Sequence, residues 1–256
     1  MYYYVYDSFL GDKKYQLLLH KIETRLMDLG ISGRTEKLTI LKSLKEIIRD
    51  AASKGIDTLV AVGNDKTFSK VISLLTDHSV ILGMIPIGPD NTIASMLGIP
   101  QGEAACNILS ARIIEKIDLG KANNTYFVSS LEVPAEREIF MDCEGYNINP
   151  LSTAKNISIR NFGPLNGNTT DRKKISSPTD GILEAIISTQ KKERGFFKRQ
   201  TQFTDDSVFP FKKIKVKCNR ESVPIIADGQ TTIKTPVTVE VLPKKLKIIV
   251  GKNRMF

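Results

Sequence analysis

The sequence predicts an α/β domain with a parallel sheet, followed by an antiparallel β domain. Up to about residue 117, apolar runs typical of strands alternate with segments whose apolar residues recur at helical spacing, the pattern of a doubly wound α/β layer. Beyond Asp118, short strand-like runs are separated by turns rich in Asn, Gly, Pro and Ser, without a helical period of useful length. We therefore expect an α/β domain over 1–117 and an antiparallel β-sandwich over 118–256.

The elements of the first domain each have a local signal. The run from Ser79 to Ile87 is almost continuously apolar, as in a strand that is covered on both faces. Gly30 and Gly55 each follow a helical apolar stripe, and glycine commonly ends a helix. The predicted elements are strands 2–6, 36–40, 57–62 and 79–87, helices 13–29, 41–51, 66–75 and 103–114, and a short helix inside 88–98.

The second domain is predicted as a series of short strands. The stretch 161–168, Asn-Phe-Gly-Pro-Leu-Asn-Gly-Asn, is typical of the turns that separate them. The predicted strands are 126–133, 155–160, 182–188, 214–217, 224–227, 236–242 and 245–250.

Composition excludes several classes of protein. With 256 residues, 41% of them hydrophobic, the chain can bury a substantial core. The three cysteines, Cys106, Cys143 and Cys218, are far apart, so they form neither a disulfide framework nor a CxxC metal site. No stretch approaches the roughly 20 apolar residues of a membrane span, and the first residues do not resemble a secretion signal. We expect a cytoplasmic protein.

The net charge of +9 is concentrated in the segment 191–220, which holds ten basic and three acidic residues. Five phenylalanines are interleaved with these charges. Such a mixture suits an anionic membrane surface or single-stranded nucleic acid. It is equally typical of a strand with one solvated and one buried face. Nucleic acid has only the charge in its favour, so it is not expected as a partner.

One stretch, Asp57-Thr-Leu-Val-Ala-Val-Gly-Asn-Asp-Lys-Thr-Phe-Ser-Lys-Val-Ile72, reads as strand, turn and helix. Gly63, Asn64 and Asp65 break the apolar run before the helical pattern begins. In a parallel sheet such a turn lies outside the carboxyl end of the strand, where N–H groups at the helix start can hold a phosphate. The turn is therefore the first candidate ligand site.

Two blocks resemble the diacylglycerol kinase catalytic-domain family. Val-Ala-Val-Gly-Asn-Asp-Lys-Thr (60–67) resembles the GGDGT turn of that family. Ile-Pro-Ile-Gly-Pro-Asp-Asn-Thr-Ile-Ala-Ser-Met-Leu-Gly-Ile-Pro (85–100) resembles its next block, IPLGTGNDFARxLGIP. Weaker matches follow in the family's order at 117–123, 180–184 and 226–230. NAD kinases share the fold and the GGDGT turn, but the second block follows the lipid-kinase pattern.

The resemblance implies an ATP- and Mg²⁺-dependent lipid kinase, with an α/β nucleotide domain and a β-sandwich substrate domain. Nucleotide and lipid would be its ligands, bound in a cleft between the domains that holds Asp65 and Asp228, and the segment 191–220 would contact an anionic membrane. The resemblance implies that phosphate, Mg²⁺ and nucleotide are bound by Gly63, Asn64, Asp65, Lys66, Thr67, Gly88 and Asn91, with Asp65 as the metal ligand. It implies Asp228 and Gln230 as the catalytic positions.

The first two blocks also depart from the family pattern. Asn64 and Lys66 stand where the family has glycines, and Asn is the side chain that best tolerates a left-handed backbone. Lys66 could bind a phosphate, occupy its place, or be a surface lysine on the first helical turn. Asp90 lies two residues before Thr92, which replaces the family's Asp. It could restore a carboxylate or cap the following helix.

The third departure concerns the acid of the family's DGE motif, which here is Gln230. An amide cannot accept a proton from an attacking hydroxyl at neutral pH, and loss of a general base typically costs about 10² to 10⁴ in rate. Asp228 could take over this role, or it could simply stabilise a turn. The alternative function is thus a catalytically impaired family member that binds a nucleotide or a lipid as a sensor or scaffold.

Overall fold

The computed structural model describes residues 1–38, 44–75, 79–135, 138–150, 154–164, 175–194, 200–219 and 221–256. The chain forms two compact units, Met1–Ile117 together with Lys244–Phe256, and Asp118–Pro243. The sequence predicted that all of 118–256 belongs to the second domain. This prediction is wrong for Lys244–Phe256. Lys244–Phe256 joins the first unit because the last strand continues into its sheet, where Ile248 pairs with Leu82 in parallel.

The first unit is an α/β layer built on a parallel sheet. Its strands are β1 (Tyr2–Tyr6), β2 (Arg34–Lys37), β3 (Thr58–Gly63) and β4 (Ile81–Pro86), and its helices are α1 (Gln16–Asp28), α2 (Leu44–Ser53), α3 (Asp65–Leu75), α4 (Thr92–Met96) and α5 (Ala105–Ala111). The strands lie in the order β2-β1-β3-β4, and every one of these pairs is parallel. The α/β prediction is confirmed.

The core of this unit lies along the central strands. Every residue of β3 is buried, and β1 is buried from Tyr3 to Tyr6. A side chain at Gly83 of β4 would meet Leu109 of α5 at 2.6 Å, so the helix packs directly on the strand.

Two predicted helices have different limits in the structure. The helix predicted at 13–29 begins at Gln16, because Asp12 accepts the N–H of Lys14 (3.1 Å) and caps a preceding 3₁₀ turn. The helix predicted at 103–114 ends at Ala111, since Arg112 has left-handed backbone angles and a strand follows it.

The second unit consists of antiparallel strands. They are β5 (Ile114–Ala122, which begins in the first unit), β6 (Thr125–Phe127), β7 (Ser130–Val133), β8 (Ile139–Cys143), β9 (Tyr146–Ile148), β10 (Ala154–Arg160), β11 (Gly163–Pro164), β12 (Ile175–Ser176), β13 (Leu183–Arg194), β14 (Gln200–Phe211), β15 (Lys213–Cys218), β16 (Pro224–Ala227), β17 (Thr231–Lys234) and β18 (Val237–Ile249). One sheet has the order β14-β13-β10-β7-β16-β17, and the second contains β9, β8, β15 and the first half of β18.

Alternate residues of the two sheets form one buried cluster. Leu131, Ile157 and Leu183 come from the first sheet, and Met141 and Val239 come from the second. Two sheets that share a core in this way form a sandwich, so this prediction is also confirmed. The sequence prediction did not include β5, β8, β9, β11, β12, β14 or β17. It also treated β6 and β7 as one strand and divided the continuous strand β18 into two.

The basic segment 191–220 falls mostly on strands. Residues 195–199 and 220 lie outside the described residues, whereas β15 is described in full. Lys213 and Lys215 are exposed, Ile214 and Val216 are buried, and Lys217 lies 3.3 Å from the carboxylate of Asp142. At β15 the segment is therefore the solvated face of a sheet. In the described ranges, no helix is both long enough and apolar enough to cross a bilayer.

Candidate functional site

The carboxyl ends of β1, β3 and β4 meet at one edge of the parallel sheet. Asp7, Asn64 and Ile87 directly follow these strands; the N–H of Asp7 donates to the carbonyl of Val62 (2.9 Å) and that of Ile87 to the carbonyl of Gly63 (2.8 Å). This edge is where ligands bind in open α/β sheets. The sequence predicted a site at this edge after β3 and β4, but it did not identify Asp7.

Asn64 caps helix α3. Its Oδ1 accepts the backbone N–H groups of Lys66 (3.1 Å) and Thr67 (3.3 Å), and its carbonyl accepts the N–H of Phe68 (3.1 Å). These are bonds that an N-cap side chain and carbonyl make at the start of a helix. The N–H groups at the helix start, which the strand-turn-helix pattern predicted to hold a phosphate, are thus bonded to the turn itself.

Gly63 is required by its contact with Thr67. A Cβ at Gly63 would overlap the Thr67 hydroxyl oxygen, so no other residue fits without a shift. The hydroxyl of Thr67, which is fully buried, donates to Oδ2 of Asp7 (2.6 Å) and accepts the N–H of Asn64 (3.3 Å). Gly63 and Thr67 therefore shape the turn.

Asp65 joins the two motif blocks. Its N–H donates to the carbonyl of Asp90 (3.0 Å), and its carboxylate accepts the N–H groups of Ile93 (2.8 Å) and Ala94 (3.3 Å) at the start of α4. Burial raises the pKa of the Asp65 carboxyl to about 6, although the N–H groups of α4 act in the opposite direction. Asp65 therefore remains mainly ionised at neutral pH and caps α4.

The exposed Asp90 does not cap this helix, because Asp65 provides the acceptor. One of the two roles expected for Asp90 is therefore wrong.

Gly88 and Asn91 form the turn that precedes α4. Gly88 has a φ of +85°, and a Cβ there would lie 3.4 Å from the ring of Phe9, which packs edge-on against Tyr15. The side-chain amide of Asn91 donates to the carbonyl of Gly88 (2.6 Å). Its Oδ1 is buried without a hydrogen-bond partner in the described residues. Such an acceptor is usually satisfied by water or a ligand.

A nucleotide phosphate could be held at this edge mainly by a side chain. Lys66 is exposed on the first turn of α3, where the helix dipole also favours an anion. Mg²⁺ commonly binds one or two carboxylates together with phosphates and water. Asp65 can supply one such carboxylate. In the described part of the chain, no group of three or more His, Cys, Asp or Glu could by itself hold a metal ion.

Asp228 lies in the loop between β16 and β17 and has a φ of +47°. Its carboxylate accepts the backbone N–H groups of Val128 (2.9 Å), Ser129 (2.8 Å) and Ser130 (3.1 Å). Its own N–H donates to the carbonyl of Ser130 (2.8 Å). Asp228 therefore joins the hairpin to the segment between β6 and β7. Of its two expected roles, this geometry supports the structural one.

Gln230 closes the same hairpin loop, and its N–H donates to the carbonyl of Ala227 (2.9 Å). Its side chain is half-buried. Chemically, a neutral amide here can orient a substrate by hydrogen bonds but cannot take up a proton.

The second unit also contains acidic side chains to which the sequence assigned no role. Asp118 is fully buried and accepts the N–H of Gly181 (2.7 Å) through Oδ2. Burial and, to a smaller extent, the nearby Asp180 raise the pKa of Glu184 on β13 to about 7, although the hydrogen bond of Ser176 acts in the opposite direction. The motif-like stretches 117–123 and 180–184 contain these residues, and that was the available signal.

The model of the diacylglycerol kinase catalytic domain matches residues 2–122. A diacylglycerol kinase of Bacillus subtilis (strain 168) is 27% identical over 130 residues, which cover 49% of this chain and 43% of that protein. An uncharacterised protein of Synechocystis sp. (strain ATCC 27184 / PCC 6803 / Kazusa) is 26% identical over 257 residues, covering 82% of this chain and 58% of that protein. In both cases the chain covers less than two thirds of the relative's length.

The crystal structure of a diacylglycerol kinase from Bacillus anthracis str. Sterne has the same fold. The TM-score is 0.79 at 18% identity, and the alignment covers 98% of this chain and 97% of that one. Over residues 2–122 the chain is therefore similar to the diacylglycerol kinase catalytic domain, in agreement with the order of its motif blocks, and over nearly its whole length it shares the fold of this solved structure.

Proposed function

We propose that this protein is a lipid kinase that transfers the γ-phosphate of ATP to the hydroxyl of a lipid. One observation supports this proposal most directly. The carboxylate of Asp65, from the first motif block, accepts the N–H groups of Ile93 and Ala94 in the second. Both blocks therefore contribute to one edge of the parallel sheet, with Lys66 exposed beside them.

In this proposal, Lys66 binds the nucleotide phosphates and Asp65 contributes the protein's carboxylate to Mg²⁺. When bound with ATP, Mg²⁺ would neutralise charge on the phosphates during transfer. Gly63 and Thr67 maintain the turn, while Gly88 and Asn91 line the nucleotide site. The buried Oδ1 of Asn91 supplies an acceptor for a donor group on the ligand.

Removal of the proton from the acceptor hydroxyl is the step that these residues assist least. The family acid is replaced by Gln230, and three backbone N–H groups occupy the carboxylate of Asp228. Phosphoryl transfer relies mainly on positioning and charge stabilisation, so turnover can continue without a strong base. We expect slow transfer.

The test is incubation of the purified protein with Mg²⁺, labelled ATP and vesicles that contain diacylglycerol and other hydroxyl lipids. Label should enter a lipid product, and Asp65→Ala should abolish the transfer. Gln230→Glu should raise turnover about 10²- to 10⁴-fold if the base is the missing group. No label in lipid with either the wild type or Gln230→Glu would reject the kinase proposal.

A second candidate is a protein that binds a nucleotide or a lipid without transferring phosphate. The hydrogen bonds of Asp228 and the amide of Gln230 favour this function. It predicts measurable binding of Mg-ATP or of lipid vesicles by calorimetry, with no lipid product even for Gln230→Glu. Absence of binding to both would reject it.

A further inference from the structure

Helix α4 is a short helix that is held at both ends by other parts of the first unit. It has five residues, and its N-cap residue, Asn91, makes no side-chain capping bond. At the N-terminal end, Asp65 accepts the N–H groups of Ile93 and Ala94. A helix of this length has little stability of its own, so the position of Asn91 depends on these external contacts.

The C-terminal end of α4 is bonded to the C-terminal tail, which we define as Gly251–Met255. The N–H of Gly251 donates to the carbonyl of Leu97 (2.9 Å), and the N–H of Met255 donates to the carbonyl of Met96 (2.9 Å). The last carbonyl groups of a helix have no partner within the helix. The tail supplies two of the missing donors.

Two glycines allow the tail to approach so closely. A Cβ at Gly251 would overlap the carbonyl oxygen of Gly98, and a Cβ at Gly98 would lie 2.7 Å from the backbone nitrogen of Arg254. Gly98 also has a φ of +71°, and it ends α4 with the bonds of a Schellman motif. Backbone therefore packs against backbone at this contact.

An ion pair anchors the tail to the rest of the first unit. The guanidinium of Arg254 lies 2.7 Å from the carboxylate of Glu115 at the start of β5, and both side chains are about one third exposed. Arg254 also donates to the carbonyl of Gly251 (3.5 Å). The tail and Asn91 line the same groove, whose volume is about 670 Å³. Because the tail is hydrogen-bonded to the end of α4, movement of the tail would be transmitted to this helix.

We infer that the C-terminal tail is a positioning element for Gly88–Thr92, the turn that would bind the nucleotide, with Arg254 and Glu115 as its anchor. This inference rests on the proposed nucleotide site. The coupling between the tail and α4, on which it also depends, can be measured without nucleotide. Loosening the tail should weaken nucleotide binding more than turnover, because no residue of the tail belongs to the proposed transfer chemistry.

The first measurement is hydrogen exchange of the intact protein, which does not depend on activity. Arg254→Ala should speed exchange at Ile93 and Ala94 about 2- to 5-fold, the size expected for loss of one partly exposed ion pair, and Arg254→Lys should restore part of the protection. Arg25→Ala is the matched control, because it removes another 2.7 Å bond of the first unit, to Asn107. Helix α3 should be unchanged in all three variants.

The second measurement is the binding of Mg-ATP by calorimetry. Arg254→Ala should raise the Kd about 2- to 5-fold with less than a twofold change in kcat, whereas Arg25→Ala should change neither. If wild-type protein binds no ATP, the proposed function fails, while the exchange result still decides the coupling. Gly251→Ala, if folded, should speed exchange at Ile93 and Ala94 more than Arg254→Ala does. Faster exchange in the tail without any change at Ile93 and Ala94 would overturn the inference.

Discussion

The turn after β3 and the loop after β16 both present an aspartate whose carboxylate accepts backbone N–H groups from another segment. Asp65 accepts two such groups from the start of α4, and Asp228 accepts three from Val128–Ser130. The two turns differ in what surrounds the acid. Asp65 lies beside Lys66 at the carboxyl edge of a parallel sheet, whereas Asp228 precedes Gly229 and Gln230 in a hairpin loop.

This difference shows that a retained motif aspartate can serve the fold as well as the chemistry. Both carboxylates accept backbone N–H groups, but Asp65 also lies where strand ends and a helix start favour an anionic ligand. The hydrogen bonds of Asp228 are those of a structural link between two segments. Substitutions should therefore damage stability at Asp228 more than at Asp65.

The largest effect is expected for Asp228→Ala. This change leaves three backbone N–H groups without their acceptor, which should lower the free energy of unfolding by about 3 kcal/mol. Urea unfolding measures the loss, and Asp228→Asn should be intermediate because it keeps one acceptor oxygen. Asp142→Ala, which removes only an exposed ion pair with Lys217, should cost less than about 1 kcal/mol. Equal losses for Asp228→Ala and the control would contradict a structural role.

A medium effect is expected for the pH dependence of stability at Asp65. Burial raises its pKa in the folded protein to about 6, above that of the unfolded chain, so the folded state binds the proton more tightly. The resulting stabilisation is complete below the unfolded pKa and is lost as the pH rises through about 6.

Between about pH 4.5 and 7.5, the wild type should lose about 2 kcal/mol relative to Asp65→Asn, which cannot titrate. Urea unfolding of both proteins at the two pH values measures this difference, and other titrating groups cancel in the comparison. Parallel pH profiles for the two proteins would show that Asp65 has an ordinary pKa.

The smallest effect is expected at Asn64. Asn64→Ala removes the cap of α3 and should cost about 1 kcal/mol, while Asn64→Asp keeps the acceptor and should be nearly neutral. Asn64→Gly restores the glycine of the family pattern and releases the N–H groups of Lys66 and Thr67. Mg-ATP should then bind about 5-fold more tightly, equivalent to about 1 kcal/mol. Unchanged calorimetric affinity would indicate that these N–H groups are not used by the phosphate.

Much of the fold could be predicted from local patterns. The alternation of apolar runs and helical stripes up to residue 117 specifies a parallel sheet, because only strands covered on both faces have such continuous apolar runs. Strands β5, β8, β9, β11, β12, β14 and β17 were not predicted. Most of them are short or polar, and such strands are stabilised by their pairing partners rather than by a strong local pattern. The length of β18 was underestimated because it pairs with different strands in its two halves.

The candidate site was predicted less completely. The family resemblance implied Gly63–Thr67, Gly88, Asn91, Asp228 and Gln230, but Asp7 was not identified because its hydrogen bond to Thr67 spans 60 positions. The roles of Asn64 and Asp65 as helix caps likewise depend on which N–H groups lie within reach. The assignment of these residues to phosphate, Mg²⁺ and catalysis remains a prediction that the experiments above will decide.

The sequence by itself determined the class of each half of the chain, the position of the turns and the resemblance to a lipid-kinase family, because these follow from periodicity and from ordered local motifs. Only the tertiary structure decided from which N–H groups the two motif aspartates accept hydrogen bonds, that burial raises the pKa of Asp65, and that the last residues return to the first unit and hold α4. These properties arise from burial and from contacts between residues distant in sequence, which no local pattern records.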